Sequence, residues 1–368
     1  MTEMVFIGTL SGQLCGELNC NKVIKERIKT TYQSCAFIDS NLASGPDKTG
    51  GFGFKKLFQM LGLYFQLLCS LERNATVYMT PGLSRLGLIR FLIALVMCKL
   101  FKAKVVAHYH GSRVINEYDT YKPYFKALVD YFFRNVDAHI FLSNTLQRQY
   151  SSKFKIKNSF VVGNFFSNEL HEYLLRNYRE TPTLRNRKIR LLYLSNLIEA
   201  KGYKTAIEIT KKLKILGSDV ELKIAGNGSD EVILKLQDLI EGEPIEYLGV
   251  VSGVDKYELY NESDILLFPT LYKQEGLPLV LLEAMISRLL VVTNNIGGIQ
   301  DLIVNKKTGL FLEKNMQLES GVTLIQKVLK EPDLYSSIIE AAYDVSESYT
   351  EDAFGNNVLK VLNRMSEK

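Results

Sequence analysis

DILLFPTLYKQEGLPLVLLEAM, residues 264–285, holds a strand, a loop and the start of a helix in one run. The apolar stretch Ile265 to Phe268 is too short for a helix and leads straight into Pro269, so it reads as a strand buried on both faces. The loop that follows carries Glu275 and Gly276. Pro278 suits the first turn of a helix, where its missing N–H costs nothing. Gly276 lets the backbone approach a ligand closely. With Leu277 it stands where free backbone N–H groups at a helix N-terminus would favour an anion such as a diphosphate. Glu283 lies inside an otherwise apolar helix and needs a partner. A local Lys or Arg would serve, and so would a ribose diol giving two donors to one carboxylate.

Outward from this segment the same alternation repeats. In the second half, strands are expected at 190–194, 221–225, 245–248, 265–269, 290–293 and 309–312, with helices between them and three more helical segments closing the chain. In the first half, strands are expected at 4–10, 34–39, 76–80, 104–109, 138–142 and 159–162, with helices at 17–29, 54–71, 84–101 and 121–135. Short apolar strands alternating with helices indicate a parallel sheet covered on both faces. The polar, basic stretch RNYRETPTLRNRKIR, residues 176–190, interrupts the pattern as a linker would. The expectation is therefore an α/β chain of two Rossmann-like, doubly wound domains: 1–175, a linker at 176–189, and 190–345, with a helix over 346–368 packing back on the first domain. Ligands of such sheets bind at the carboxyl ends of the strands, which places the motifs just after strands and the expected site in a cleft between the domains.

Bulk composition narrows the class. With 368 residues, 46% hydrophobic and 23% charged, the chain suits two ordinary globular domains. Residues 1–180 hold 23 Lys/Arg against 13 Asp/Glu, and the remainder 22 against 27. A basic half either is a solvated surface or meets phosphate, nucleic acid or anionic lipid. The five cysteines form no CxxC pair, which argues for a reducing compartment and against a disulfide framework or a zinc site. The opening MTEMVFIGTL has no signal-peptide pattern, and the expected location is cytoplasmic. The apolar run 86–101, interrupted by Arg90, is shorter than the ~20 residues of a spanning helix. Together with Arg85, Lys99 and Lys102, and with Lys55 and Lys56 opening a second apolar helix, it reads either as core with charged ends or as a helix lying on anionic lipid. No aromatic–basic motif of an RNA-binding module occurs, so nucleic acid is not an expected partner.

Glu275 and Glu283 are separated by seven residues within EGLPLVLLE, followed by VVTNNIGGIQDLI. This resembles the E-x7-E segment of retaining GT-B glycosyltransferases, the family-four or glycosyl transferases group 1 type. The resemblance covers most of the second domain. YLSNLIEAKG, residues 193–202, is similar to the strand–loop–helix that grips the donor phosphates, with Lys201 at the phosphate-binding position. Asn196 stands where relatives often have Arg, so it brings a hydrogen bond without charge. IAGNGSD resembles the strand-end GxG turn, here with Gly226 and Asn227, and YLGVVS the segment whose backbone, around Val250, meets the base. In the first half the likeness is looser: TLSGQLCGE supplies Gly12 for close approach to the donor, and HYHGS supplies His110, which resembles the strand-end His that touches the transferred sugar.

The resemblance implies transfer of a sugar, with retention, from a UDP- or GDP-type sugar to a saccharide or lipid-linked acceptor, in bacterial surface-polysaccharide assembly. Lys201, Asn196 and the backbone at Gly276–Leu277 would stabilise the leaving diphosphate, Glu283 would hold the ribose, Glu275 would orient the sugar, and His110 would support it from the first domain. No cofactor or metal is expected: Asp-x-Asp does not occur in the chain. Peripheral contact with an anionic membrane is the expected setting for a lipid-linked acceptor. A nucleotide-sugar 2-epimerase of the same fold, or a non-catalytic sugar-nucleotide-binding subunit, are the alternative readings.

Overall fold

The structure is a computed structural model and describes residues 3–12, 15–42, 54–178, 184 and 187–367. It divides into two compact units, Met1–Asn164 with Asp352–Lys368, and Phe165–Glu351. Half of the expected linker at 176–189 lies outside the described residues.

The first unit is built on β1 (Met4–Gly8), β2 (Cys35–Asp39), β3 (Thr76–Met79), β4 (Lys104–Tyr109), β5 (Ala138–Phe141) and β6 (Ser159–Val161). All pairings are parallel, in the order β2-β1-β3-β4-β5-β6. The second unit is built on β7 (Ile189–Leu194), β8 (Val220–Ala225), β9 (Ile245–Tyr247), β10 (Ile265–Phe268), β11 (Leu290–Thr293) and β12 (Leu310–Phe311), again all parallel, in the order β12-β11-β10-β7-β8-β9. Parallel strands need helical crossovers that cover both faces, which explains why β1, β3, β5, β10 and β11 are buried along their whole length. Every expected strand has its counterpart, and among the described residues the α-helices without a sequence signal are short or polar: Arg113–Glu117, Asn144–Lys153, Asn168–Arg176 and Ile299–Leu302.

Serines set several helix starts. Ser143, directly after β5, accepts from Leu146 N at 3.2 Å, and Ser84, Ser167 and Ser229 cap their helices in the same way. The helix Asn168–Arg176 corrects the boundary expected at 175: it belongs to the second unit. Its Glu169 accepts from Tyr257 OH at 2.9 Å, and its Tyr173 ring lies 5.8 Å from that of Tyr257, so it is anchored on the helix Gly253–Glu262. The terminal helix Glu351–Ser366 contributes Asp352 onward to the first unit. There Asp352 pairs with Arg27, Asn363 accepts from Tyr32 OH at 2.7 Å, and Ser366 meets Thr76 at 3.0 Å.

Asp264, fully buried just ahead of β10, ties the second sheet together. Its carboxylate accepts both Arg187 amino groups (3.0 and 2.6 Å) and Arg190 N (2.9 Å), while its carbonyl accepts from Leu290 N and Tyr335 OH. Removing one partner of a buried pair strands the other charge, so Asp264→Ala is expected to cost about 3 kcal/mol. A urea titration reads this as a fall in the unfolding midpoint, and an unchanged midpoint would show that Asp264 is not a structural anchor.

Candidate functional site

In an open parallel sheet, adjacent strands whose chains leave in opposite directions open a crevice at their carboxyl ends. In the second unit that reversal falls between β7 and β10, paired in register Leu191↔Ile265 and Leu192↔Leu266. The turn after β7 and the loop after β10 therefore rise side by side. Leu271 N donates to Ala200 O at 2.7 Å, joining them through the backbone. Gly202 makes this approach possible. Its φ is +87°, and a Cβ there would lie 2.3 Å from Pro269 O. Gly202 also starts the helix Tyr203–Ile215.

The joined loops bring two of the expected site residues into contact. Lys201 Nζ lies 3.3 Å from Glu275 Oε1, and Thr270 Oγ1 donates to the same oxygen at 3.4 Å. Glu275 is only 7% exposed. Burial pushes its carboxyl above the usual range, with Lys201 pulling the other way. Lys201 also sits over the Tyr272 ring, 5.4 Å from its centre. From the other side Gly297, at φ +57°, backs onto Glu275: a Cβ there would lie 2.4 Å from Glu275 O, and the next amide, Gly298 N, donates to Gly276 O at 2.8 Å. Thr270, Tyr272 and Gly297 were not among the residues singled out in the sequence, although the paired glycines of TNNIGGIQ carried a signal for close backbone approach.

Glu283 is buried on its helix and takes a Lys partner. Lys256 Nζ lies 2.5 Å from Oε1, and Tyr260 OH donates to Oε2 at 2.7 Å. Lys256 and Tyr260 are one helical turn apart on Gly253–Glu262, a spacing that puts both on one face. A carboxylate has about four acceptor positions, so these bonds leave capacity for a further donor. The helix itself, Leu279–Ile286, begins at the expected residue, with Pro278 at its cap rather than inside its first turn. Gly276 and Leu277 precede it and are buried.

The remaining donor-side residues join neighbouring loops. Gly226 N donates to Gly249 O at 2.7 Å, Tyr247 OH to Gly226 O at 2.9 Å, and Leu197 N to Asn227 O at 2.7 Å. Asn196 is exposed, with its carbonyl accepting from Ile198 N at 2.8 Å, and Val250 is exposed after β9.

In the first unit the reversal falls between β1 and β3. Gly12 follows β1 in an exposed turn where Asn41 Nδ2 donates to Ser11 O at 2.8 Å. Residues 13 and 14 of that loop lie outside the described residues. Glu17, which the sequence reading did not select, receives Thr9 Oγ1 at 3.1 Å, and burial raises its carboxyl despite Thr9, Thr80 and Arg90 nearby. His110 directly follows β4, with its ring 4.3 Å from that of His108, whose Nδ1 meets Tyr78 OH at 2.7 Å. His110 Nε2 is buried with no hydrogen-bond partner among the described residues, and burial pulls this imidazole down to about 4.

Residues 176–345 match the family model of the glycosyl transferases group 1. An uncharacterized glycosyltransferase of Haemophilus influenzae is 28% identical over 216 residues, 58% of this chain and 57% of the relative. The amylovoran biosynthesis glycosyltransferase AmsK of Erwinia amylovora is 27% identical over 185 residues, 48% of this chain and 45% of the relative. The matched stretch thus spans about half the length of each. The crystal structure of Anabaena HepE in complex with UDP and glucose superposes with a TM-score of 0.71 at 14% identity, over 98% of this chain and 100% of that one. The fold is GT-B, with two parallel six-stranded sheets.

His110 is neutral in the folded protein at pH 7, whereas an unfolded chain protonates it near 6.5. Between 6.5 and about 4 the unfolded state binds the proton and the folded state does not, so His110 contributes stability that is present above 6.5 and lost on acidification. His108 and His139 are shifted in the same direction by burial. His110→Asn is therefore expected to lose less stability than the wild type between pH 7 and 5. Equal losses in parallel urea titrations would contradict a buried neutral His110.

Proposed function

We propose that this protein is a retaining glycosyltransferase that moves a sugar from a UDP- or GDP-type nucleotide sugar to a saccharide or lipid-linked acceptor. The carrying observation is the Lys201–Glu275 pair at the reversal of the second sheet, 3.3 Å apart inside the segment matched by the family. A diphosphate at this crevice offers Lys201 a second anionic partner, and a point charge on a short loop neutralises a leaving diphosphate. Glu275, mostly withdrawn from water, accepts hydrogen bonds from hydroxyls of the donor sugar and orients it. Glu283 keeps acceptor capacity for a ribose hydroxyl beside Lys256 and Tyr260. Asn196, Gly226, Asn227 and Val250 line the nucleotide end, and Gly12 and His110 serve the sugar from the first unit. The bond from the anomeric carbon to the diphosphate oxygen breaks, the bond to the acceptor oxygen forms on the same face, and the acceptor proton passes to the departing phosphate oxygen. Lys201 takes the role that a divalent metal has in other transferases, so the reading includes metal-independent turnover.

The amylovoran relative supports a place in bacterial surface-polysaccharide assembly, such as capsule, O-antigen or exopolysaccharide, and the UDP and glucose held by the HepE structure support a uridine donor as the first to try. A cytoplasmic location, peripheral at the inner face of the plasma membrane, belongs to the same reading.

Lys201→Ala and Glu283→Gln are each expected to weaken UDP binding about tenfold, the scale of one charge-assisted hydrogen bond. Calorimetry on variants with unchanged melting temperature tests this, and wild-type affinity in both would remove the assigned roles. In turnover with a UDP sugar and a saccharide acceptor, the expected product is a glycoside with the donor's anomeric configuration, formed equally well in EDTA. Inversion, or abolition by EDTA, would overturn retention or metal independence. An isomerised free donor would identify an epimerase, and no product from any donor a binding subunit.

A further inference from the structure

The first unit carries an apolar surface that its own fold does not cover. The helices Phe54–Ser70, Arg85–Leu100 and Pro123–Asn135 form one layer, with the middle helix packed against both neighbours. Tyr64 OH, for example, donates to Arg90 O at 3.2 Å. Each helix buries one apolar face, through Leu63 and Leu67, Leu88 and Leu95, or Phe125 and Phe132. Each also exposes a second one. Phe58 and Phe65 are 69% and 67% exposed, Leu86 and Leu100 61% and 78%, and Tyr124 and Tyr131 67% and 45%. These pairs are separated by multiples of seven residues, two turns of helix, so each pair marks a single stripe along its helix. A surface helix should be polar on its outer side. Here three adjacent helices are apolar there, and contiguous exposed apolar area on this scale marks a binding surface.

The charges around the stripes select the occupant. The three helices contain Lys55, Lys56, Arg85, Arg90, Lys99, Lys126 and Arg134 against one acid, Asp130; of these Lys99 is paired with Asp137 and Arg90 is turned inward, so neither supplies the outward positive charge. Asp130 is engaged by Tyr118 OH at 2.7 Å. Arg85, Lys122 and Arg134 are exposed at the ends of the stripes. A second copy of the chain would bring the same cations against themselves. An anionic bilayer offers acyl chains to the stripes and phosphates to their basic margins, and aromatic side chains such as Tyr124 and Tyr131 suit its interface. The middle helix has sixteen residues, and among the described residues no helix is long and apolar enough to cross a membrane. We infer that this three-helix face docks the protein flat on an anionic phospholipid surface. This deepens the acceptor reading, resting on it only where it implies that the acceptor is lipid-borne; the docking itself requires no transfer activity.

The test is flotation of the full chain with vesicles of phosphatidylcholine alone or of phosphatidylcholine mixed with phosphatidylglycerol, at low and high salt. Binding is expected to the anionic vesicles only, and to weaken with salt. The variant Phe58→Ser/Phe65→Ser/Leu100→Ser changes exposed positions alone and is expected to lower the bound fraction at least about tenfold, since each site loses on the order of one buried side chain. Its melting temperature and UDP affinity should match the wild type, which separates loss of docking from loss of fold or of the donor site. Absence of wild-type flotation, or a triple variant that floats as well as the wild type, would overturn the proposal. So would a wild-type dimer in light scattering that the triple variant abolishes, because a second copy would then occupy the face.

Discussion

The turn after β7 and the loop after β10 touch backbone to backbone, and the rest of the donor-side geometry depends on that contact. Leu271 N reaches Ala200 O at 2.7 Å, and Gly202 leaves room for Pro269 where any side chain would collide. Lys201 and Glu275 are far apart in sequence and come from loops of different strands. They meet because strand order brings β7 beside β10 and because a glycine lets the loops close. Asp264 works beneath the same junction, fixing where β10 begins relative to β7 and β11.

The pair is costly for the fold. A carboxyl as buried as Glu275 resists ionisation, and Lys201 recovers only part of what burial takes away. The surrounding groups, Thr270 on one side and the backbone at Gly297 and Gly298 on the other, hold the acid in position. In the first unit the three histidines of adjacent strands, His108, His110 and His139, are likewise kept neutral by burial. Both units thus place titratable groups in poorly solvated positions near strand ends, where a polar ligand gains most from a hydrogen bond.

Much of this was legible in the residues. Two-sided burial of a parallel strand leaves an uninterrupted apolar run, so DILLFP and its counterparts announce the sheets. Glu275 stands in the loop after such a run, whereas Lys201 was singled out only through the likeness of YLSNLIEAKG to the donor-phosphate segment of retaining GT-B glycosyltransferases. What a single chain does not reveal is which loops end up adjacent. Glu283 needed a partner by its setting, but Lys256 and Tyr260 come from another helix, and nothing local marks them. The helix Asn168–Arg176 is polar, short and next to a basic stretch, so its membership of the second unit depends on tertiary contacts through Glu169 and Tyr173. The helix Arg85–Leu100 is apolar on all sides, a pattern shared by a core helix and one facing lipid. Only the packing of its neighbours shows that one side stays uncovered.

The first unit is discontinuous in sequence, since residues from Asp352 onward return to it and place Ser366 against Thr76 and Asn363 against Tyr32. During synthesis its sheet leaves the ribosome early but waits for its closing helix until the whole second unit has been made. The second unit, Phe165–Glu351, is continuous and can complete its own core first. Nascent chains therefore pass through an interval in which the half with the exposed apolar helices lacks its last packing element, and that interval is when chaperone binding, or early capture by a membrane, has the most surface to act on.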